Sequence, residues 1–143
     1  MTEEMKIRLM ESRDVEAVEC LEKQCFSDPW SGKLLLEGLN SKWDTFWVAV
    51  LDDTVIGYSN LRVLSDEGEL ERIAVAPDHR RLGIGRKLME AMEDFAAQNQ
   101  VKAVTLEVRS QNTAALKLYK SYGFEEAGVR RRYYHDPEDD AVI

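Results

Sequence analysis

Residues 79–89 read HRRLGIGRKLM, four Lys/Arg and two glycines in a chain whose formal net charge is −8. Before this stretch, ELERIAV (69–75) alternates like a strand and is closed by Pro77. After it, Leu88, Ala91, Met92 and Phe95 fall at i, i+3, i+4 and i+7, the spacing of an amphipathic helix. A strand, a glycine-bearing turn and a helix in succession suit a phosphate. Glycine lets backbone N–H groups approach, and the helix N-terminus carries partial positive charge. Gly83 and Gly85 could equally do no more than shape a tight turn. The basic residues from His79 to Lys87, with no acid before Glu90, tip the reading toward an anion.

Two nucleotide fingerprints fail. A P-loop needs GxxxxGK followed by Ser or Thr, and five places after Gly83 stands Leu88. The dinucleotide pattern GxGxxG puts its third glycine at the same Leu88. It also wants a parallel array, whereas three consecutive antiparallel-looking strands precede the glycines.

Composition bounds the rest. The 143 residues, 44% hydrophobic and 32% charged, predict one soluble domain over 1–143, able to bury about two-thirds of its unfolded surface. No run approaches the roughly 20 apolar residues that span a bilayer. MTEEMKIRLM shows no basic head followed by an apolar run, so a cytoplasmic protein is expected. Cys20 and Cys25 lie five apart in a helix-like segment and face different ways, which predicts no disulfide. His79 and His135 form no ligand spacing with them, so no metal site is expected. The acidic balance argues against a general nucleic-acid binder.

Along the chain, KIRLM (6–10) reads as a strand, Asp14 as a cap for a first helix, and Ser31 as a cap for a second reaching about Leu39. TFWVAVLDDTVIGYSNLRVL (45–64) reads as a hairpin turning at Asp52-Asp53, with ELERIAV as the next strand. VKAVTLEV (101–108) is a strand. Ala115, Leu118, Tyr119 and Tyr122 mark a helix stopped at Gly123. FEEAGVRRRYY (124–134) and DDAVI give two final strands. The order β-α-α-β-β-β-α-β-α-β-β predicts an α/β (α+β) fold, a mixed, mostly antiparallel sheet with flanking helices.

Arg80-Arg81-Leu82-Gly83-Ile84-Gly85 resembles the (R/Q)xxGxG/A signature of the GCN5-related N-acetyltransferases (GNAT). ELERIAVAP resembles that family's fourth strand, and LEVRSQNTAALKLYKSYGF (106–124) its fifth strand and following helix. CFSDPWS (25–31), LEVRSQN and RRRYYHDPEDDAVI (130–143) are similar to the bacterial ribosomal-protein alanine N-acetyltransferases of the RimI type. The resemblance implies splayed central strands and acetyl-CoA as the source of the anion. Its pyrophosphate would meet Arg80, Arg81, Leu82, Gly83, Ile84, Gly85 and Arg86. The backbone of Ile73, Ala74 and Val75 would hold the pantetheine arm and thioester, with Asn112 and Tyr119 also on the cofactor.

The resemblance makes Glu107 the base for the incoming ammonium and Tyr119 the acid for the departing thiolate. Read from residues alone, Glu107 is a carboxylate in an apolar strand that a salt bridge would also satisfy, and Tyr119 lies on a core stripe. Glu69 and Glu71, two apart in ELERIAV with Glu67, compete for the base role; the preferred reading is an acidic rim that attracts a cationic acceptor. Trp30, Tyr133 and Tyr134 are candidates for the acceptor groove. The expected acceptor is a protein N-terminus, that of a ribosomal protein, without membrane or nucleic-acid contact. A monomer or weak homodimer is expected.

The RimI-type chains that the sequence resembles continue in a longer final apolar strand, whereas DDAVI ends at Ile143, so the resemblance does not extend to the C-terminal wall of the acceptor groove. Glu71 stands where an apolar residue would be less surprising. A lysine or small-amine acetyltransferase and a non-catalytic acyl-CoA-binding module are the alternatives.

Overall fold

Asp52 and Asp53 both adopt positive φ, 50° and 60°. That is the conformation a two-residue hairpin loop needs and one that Asp tolerates. They join β2 (Asp44–Leu51) to β3 (Thr54–Leu64), with Leu51 opposite Thr54. The computed structural model describes residues 5–26, 28–79, 83–106, 108–109, 113–121, 124, 129–134 and 139–142. Backbone alone is described for 108–109, 113–116, 129–134 and 139–142.

Two compact units divide the chain, Met1–Val104 and Thr105–Ile143. The first carries β1 (Met5–Leu9), α1 (Val15–Cys25), α2 (Gly32–Leu39), the hairpin, β4 (Glu67–Val75) and α3 (Ile84–Gln98). β5 (Ala103–Leu106) begins in it, and the sheet order is β1-β2-β3-β4-β5, antiparallel from β1 through β4. The second unit holds β6 (Val108–Arg109), α4 (Thr113–Ser121), β7 (Val129–Tyr134) and β8 (Asp139–Val142). Its three strands run antiparallel in the order β6-β8-β7. The mixed, mostly antiparallel sheet with flanking helices is as the element order predicts.

α1 and α2 cover one face of the first sheet. Val18, Leu21 and Leu35 pack there with Met10, Phe46, Val48, Tyr58 and Ala74. Val18, Leu35 and Val48 are wholly buried, and such burial is worth about 2 kcal/mol per side chain. α3 lies against the opposite face, where Phe95 meets Trp47 edge-on at 5.4 Å. Its first turns sit so close that a Cβ on Gly57 would come within 3.3 Å of Ile84 Cγ2, and it would also meet the Ala74 carbonyl oxygen of β4 at 2.9 Å.

The pairing of β3 with β4 slips once. Asn60 opposes Arg72 but Leu61 opposes Leu70, so Glu71 is an extra residue, a β-bulge. Strict alternation from Leu70 would send Arg72 to the α3 face. The bulge returns it to the α1 face, in line with Asn60 and, two pairs further, with Tyr58 and Ala74.

Ser31 caps α2 as expected, accepting from the Leu34 N–H at 3.2 Å. Asp14 does not cap α1 with its side chain. Its carboxylate instead accepts the Glu11 N–H at 2.8 Å and two bonds from Arg8, tying β1 to the helix entrance. Cys20 is exposed and Cys25 half-buried, and no disulfide joins them.

Candidate active site

The glycine turn opens a helix. Gly83 has φ +78°, a left-handed conformation that costs glycine nothing, and it begins α3 with its carbonyl accepting the Lys87 N–H at 3.1 Å. No side-chain cap and no acidic residue occupies the first turn, Ile84-Gly85-Arg86. Among the described residues, the helix therefore presents backbone donors and its positive end with no carboxylate in its own first turn, a surface suited to a phosphate.

Ile73, Ala74 and Val75 are the last residues of β4, paired with Ser59, Tyr58 and Gly57 of β3. Ala74 points into the α1 core, and the Cys25 thiol reaches the Val75 carbonyl oxygen at 3.5 Å.

Just before them, a polar network sits under α1. Glu22 is fully buried on that helix. One carboxylate oxygen, Oε1, accepts the Trp30 N–H at 2.7 Å and meets Arg72 Nη2 at 3.2 Å. The other accepts the Tyr58 hydroxyl at 2.5 Å. Burial, followed by the Glu22 charge, pushes the Tyr58 phenol far above its ordinary range, so it stays a donor. Arg72 Nη2 also donates to the Asp28 carbonyl at 3.0 Å. The guanidinium carbon lies 4.1 Å from the Phe26 ring centre and 4.5 Å from that of Trp30. A second α1 carboxylate, Glu19, takes the Gly32 N–H at 2.5 Å.

Farther out on this face the surface is acidic. Asp44 pairs with Arg62 at 3.1 Å and accepts from Asn60 at 3.3 Å. Glu69 is exposed beside them, whereas Glu71 is partly buried by the bulge. Burial, then repulsion from Asp44 and Glu69, raises the Glu71 carboxyl above its usual value, with Arg62 and Arg72 opposing.

In the second unit, Tyr119 is buried on α4 with its ring edge-on to Phe124 at 6.0 Å. The core position read from its helical spacing is thus observed.

The acetyltransferase (GNAT) family profile matches residues 15–124. The chain belongs to that family. It is 35% identical over 139 residues to the [ribosomal protein bS18]-alanine N-acetyltransferase of Escherichia coli K12, covering 96% of this chain and 93% of that one. It is 36% identical to the N-alpha-acetyltransferase RimI of Mycobacterium tuberculosis, over 98% of this chain and 90% of that one. The crystal structure of the Escherichia coli ribosomal-protein-S18-alanine N-acetyltransferase superposes with a TM-score of 0.89 at 33% identity, covering 97% of this chain and 90% of that one. This GNAT protein is an acetyl-CoA-dependent N-acetyltransferase.

Within the acetyltransferase, Trp30, Glu69, Glu71, Ile73, Ala74, Val75, Gly83, Ile84, Gly85 and Arg86 all lie in the first unit, and Tyr119 in the second. Trp30 is tied to Glu22 and Arg72 rather than standing loose in a loop. Arg80, Arg81, Leu82, Glu107 and Asn112 lie outside the described residues, as do the side chains of Tyr133 and Tyr134 in β7. Among the described residues no helix is long and apolar enough to cross a membrane.

Sequence reasoning missed Glu22, Tyr58 and Arg72. Glu22 did leave a signal, since it stands four residues after Val18, on the stripe that α1 buries. A carboxylate there must find partners.

Proposed function

We propose that residues 1–143 act as one catalytic domain that moves the acetyl group of acetyl-CoA to the N-terminal α-amine of a protein, the N-terminal alanine of a bacterial small-subunit ribosomal protein. One observation carries this reading: the near full-length similarity to enzymes named for alanine N-acetylation of ribosomal protein bS18. Such an acceptor places the enzyme in the cytoplasm, as a monomer or weak homodimer.

The first turn of α3, which has no acidic residue of its own, supports binding of an anionic cofactor. Gly83, Ile84, Gly85 and Arg86, with Arg80, Arg81 and Leu82 before them, would hold the pyrophosphate by backbone N–H groups and charge. The backbone of Ile73–Val75 and the side chain of Asn112 would hold the arm. Bound acetyl-CoA supplies the activated acetyl thioester. Glu107 would take the proton of the incoming ammonium, freeing the nitrogen lone pair to form the new C–N bond. Tyr119 would give its proton to the sulfur as the C–S bond breaks, and the second proton shed by the nitrogen would restore the phenol. An α-amine, with a pKa of about 8, needs less help from the base than a lysine at about 10.4. Trp30, Tyr133, Tyr134, Glu69 and Glu71 would line the acceptor's approach, the two glutamates favouring a basic N-terminus.

A second assignment of the base is favoured by one observation. Glu71 is partly buried with its carboxyl raised, nearer the operating pH than an exposed glutamate.

The deciding experiment incubates the protein with acetyl-CoA and three peptides: an Ala-initiated basic peptide, its N-terminally blocked twin and a lysine-bearing peptide. Thiol release and peptide mass are followed. Acetylation only where the α-amine is free is the expected result. Transfer to the lysine side chain of the lysine-bearing peptide would favour the lysine-acetyltransferase alternative, and tight binding without transfer the binding-module alternative. Glu107→Gln should lower turnover at neutral pH while cofactor affinity holds, and Tyr119→Phe should do likewise. Loss with Glu71→Gln and not with Glu107→Gln would move the base to β4.

A further inference from the structure

We propose that Arg72 is a positioning residue for the acceptor: it holds Trp30 and the α1–α2 connection against β4, and so sets the wall along which an incoming peptide N-terminus lies. This rests on the N-terminal acetyltransferase reading above. No catalytic role is assigned to Arg72 itself.

The restraints converge on one guanidinium. Arg72 meets the Glu22 carboxylate, the Asp28 carbonyl and the rings of Phe26 and Trp30. Three of those four contacts are with the segment that links α1 to α2. Glu22 in turn fixes the Trp30 backbone, and Glu19 fixes Gly32 two residues on. The same arginine immediately precedes Ile73 on β4, where the thioester is assigned. Arg72 thus couples the acceptor wall to the acetyl-bearing strand across a single peptide bond.

The chemistry requires arginine. A planar guanidinium can stack on aromatic faces while its edge donates to a carboxylate and a carbonyl, whereas lysine offers a point charge. Burial alone does not demand such a pair, since apolar side chains of similar volume stabilise a core at least as well. What an ion pair between α1 and β4 adds is a fixed distance and orientation.

The test starts with wild-type transfer to the free-amine peptide. Absence of transfer overturns the functional reading and this proposal together. With transfer present, two variants follow, Arg72→Lys and the double variant Glu22→Gln/Arg72→Met, which removes both charges of the pair and keeps the test open should the lysine variant misfold. For each we would measure acceptor KM, kcat, acetyl-CoA Kd, Tm and hydrogen exchange at the Trp30 amide.

The expected result is a rise in acceptor KM of about tenfold with faster exchange at Trp30, the size of a lost stacking contact. kcat and acetyl-CoA Kd should stay within about twofold, because uniform acceptor binding is what is removed. An unchanged KM in the folded variants overturns the proposal. So does a parallel fall of kcat, cofactor affinity and Tm, which marks a merely structural residue.

Discussion

Arg8 and Asp14 face each other through two parallel hydrogen bonds, Nη1 to Oδ2 at 2.7 Å and Nη2 to Oδ1 at 2.9 Å. The Arg8 guanidinium, foremost through these bonds, holds the Asp14 carboxyl below its usual value, aided by the Glu11 N–H. A carboxylate whose folded pKa is depressed stabilises the fold above its unfolded pKa of about 3.9, and loses that contribution as pH falls through the folded value. Asp14→Asn should cost about 2 kcal/mol at neutral pH, the range for a buried charge-assisted hydrogen bond. The gap should close in acid. Urea melts of both proteins from pH 7 to pH 2 check it.

Glu71 carries the opposite sign. Its raised carboxyl means the folded state holds the proton more tightly than the unfolded chain does. Its contribution is fully present below the unfolded pKa of about 4.3 and is lost as pH rises through the folded value. Glu71→Gln should therefore be more stable than wild type at neutral pH, with the difference vanishing below about pH 4. Loss of stability at neutral pH would show that Arg62 and Arg72 outweigh burial there.

At the start of α3, stability and binding should part. Gly85→Asp puts a carboxylate in the first helical turn, where the helix macrodipole favours it. Tm should hold or rise, while acetyl-CoA Kd should increase at least about tenfold from charge repulsion. Gly83→Ala should do the reverse. Among the described residues no atom lies within 4 Å of the added Cβ, so the left-handed strain of about 1–2 kcal/mol is the cost expected. Calorimetry of both variants with acetyl-CoA tells the two glycines apart.

Gly57 is a packing glycine. A methyl group there would press on the Ala74 carbonyl, which is backbone and cannot swing aside. Gly57→Ala should cost about 1–3 kcal/mol, the range for overpacking. It should also shift the first turn of α3, so acetyl-CoA affinity falls along with Tm. Unchanged affinity in a folded variant would show that the turn is set independently of the sheet.

Local chemistry that leaves a trace along the chain was legible. The period of Leu88, Ala91, Met92 and Phe95 marked α3, and Asp52-Asp53 marked the hairpin that is observed. Contacts made across the sheet were not. Strand alternation places Arg72 on the α3 face, because nothing in ELERIAV announces that Glu71 has no partner on β3. Once the bulge is known, the pairing with Glu22 and the fixing of Trp30 follow. Asp14 stands at the N-cap position of α1 as read, but its carboxylate is taken elsewhere for a related reason: a cap is a local inference, whereas Arg8 arrives from β1.

The bulge also makes β4 tolerant of a change in length at one place. With Glu71 removed, Leu70 and Arg72 would become neighbours already facing opposite ways, and every other side chain of the strand would keep its side of the sheet. Glu71 is thus a spacer that the fold can gain or lose without scrambling the strand. A shortened β4 would trade its local bend and one acidic group for a straight ladder, leaving both layers of helices docked as before.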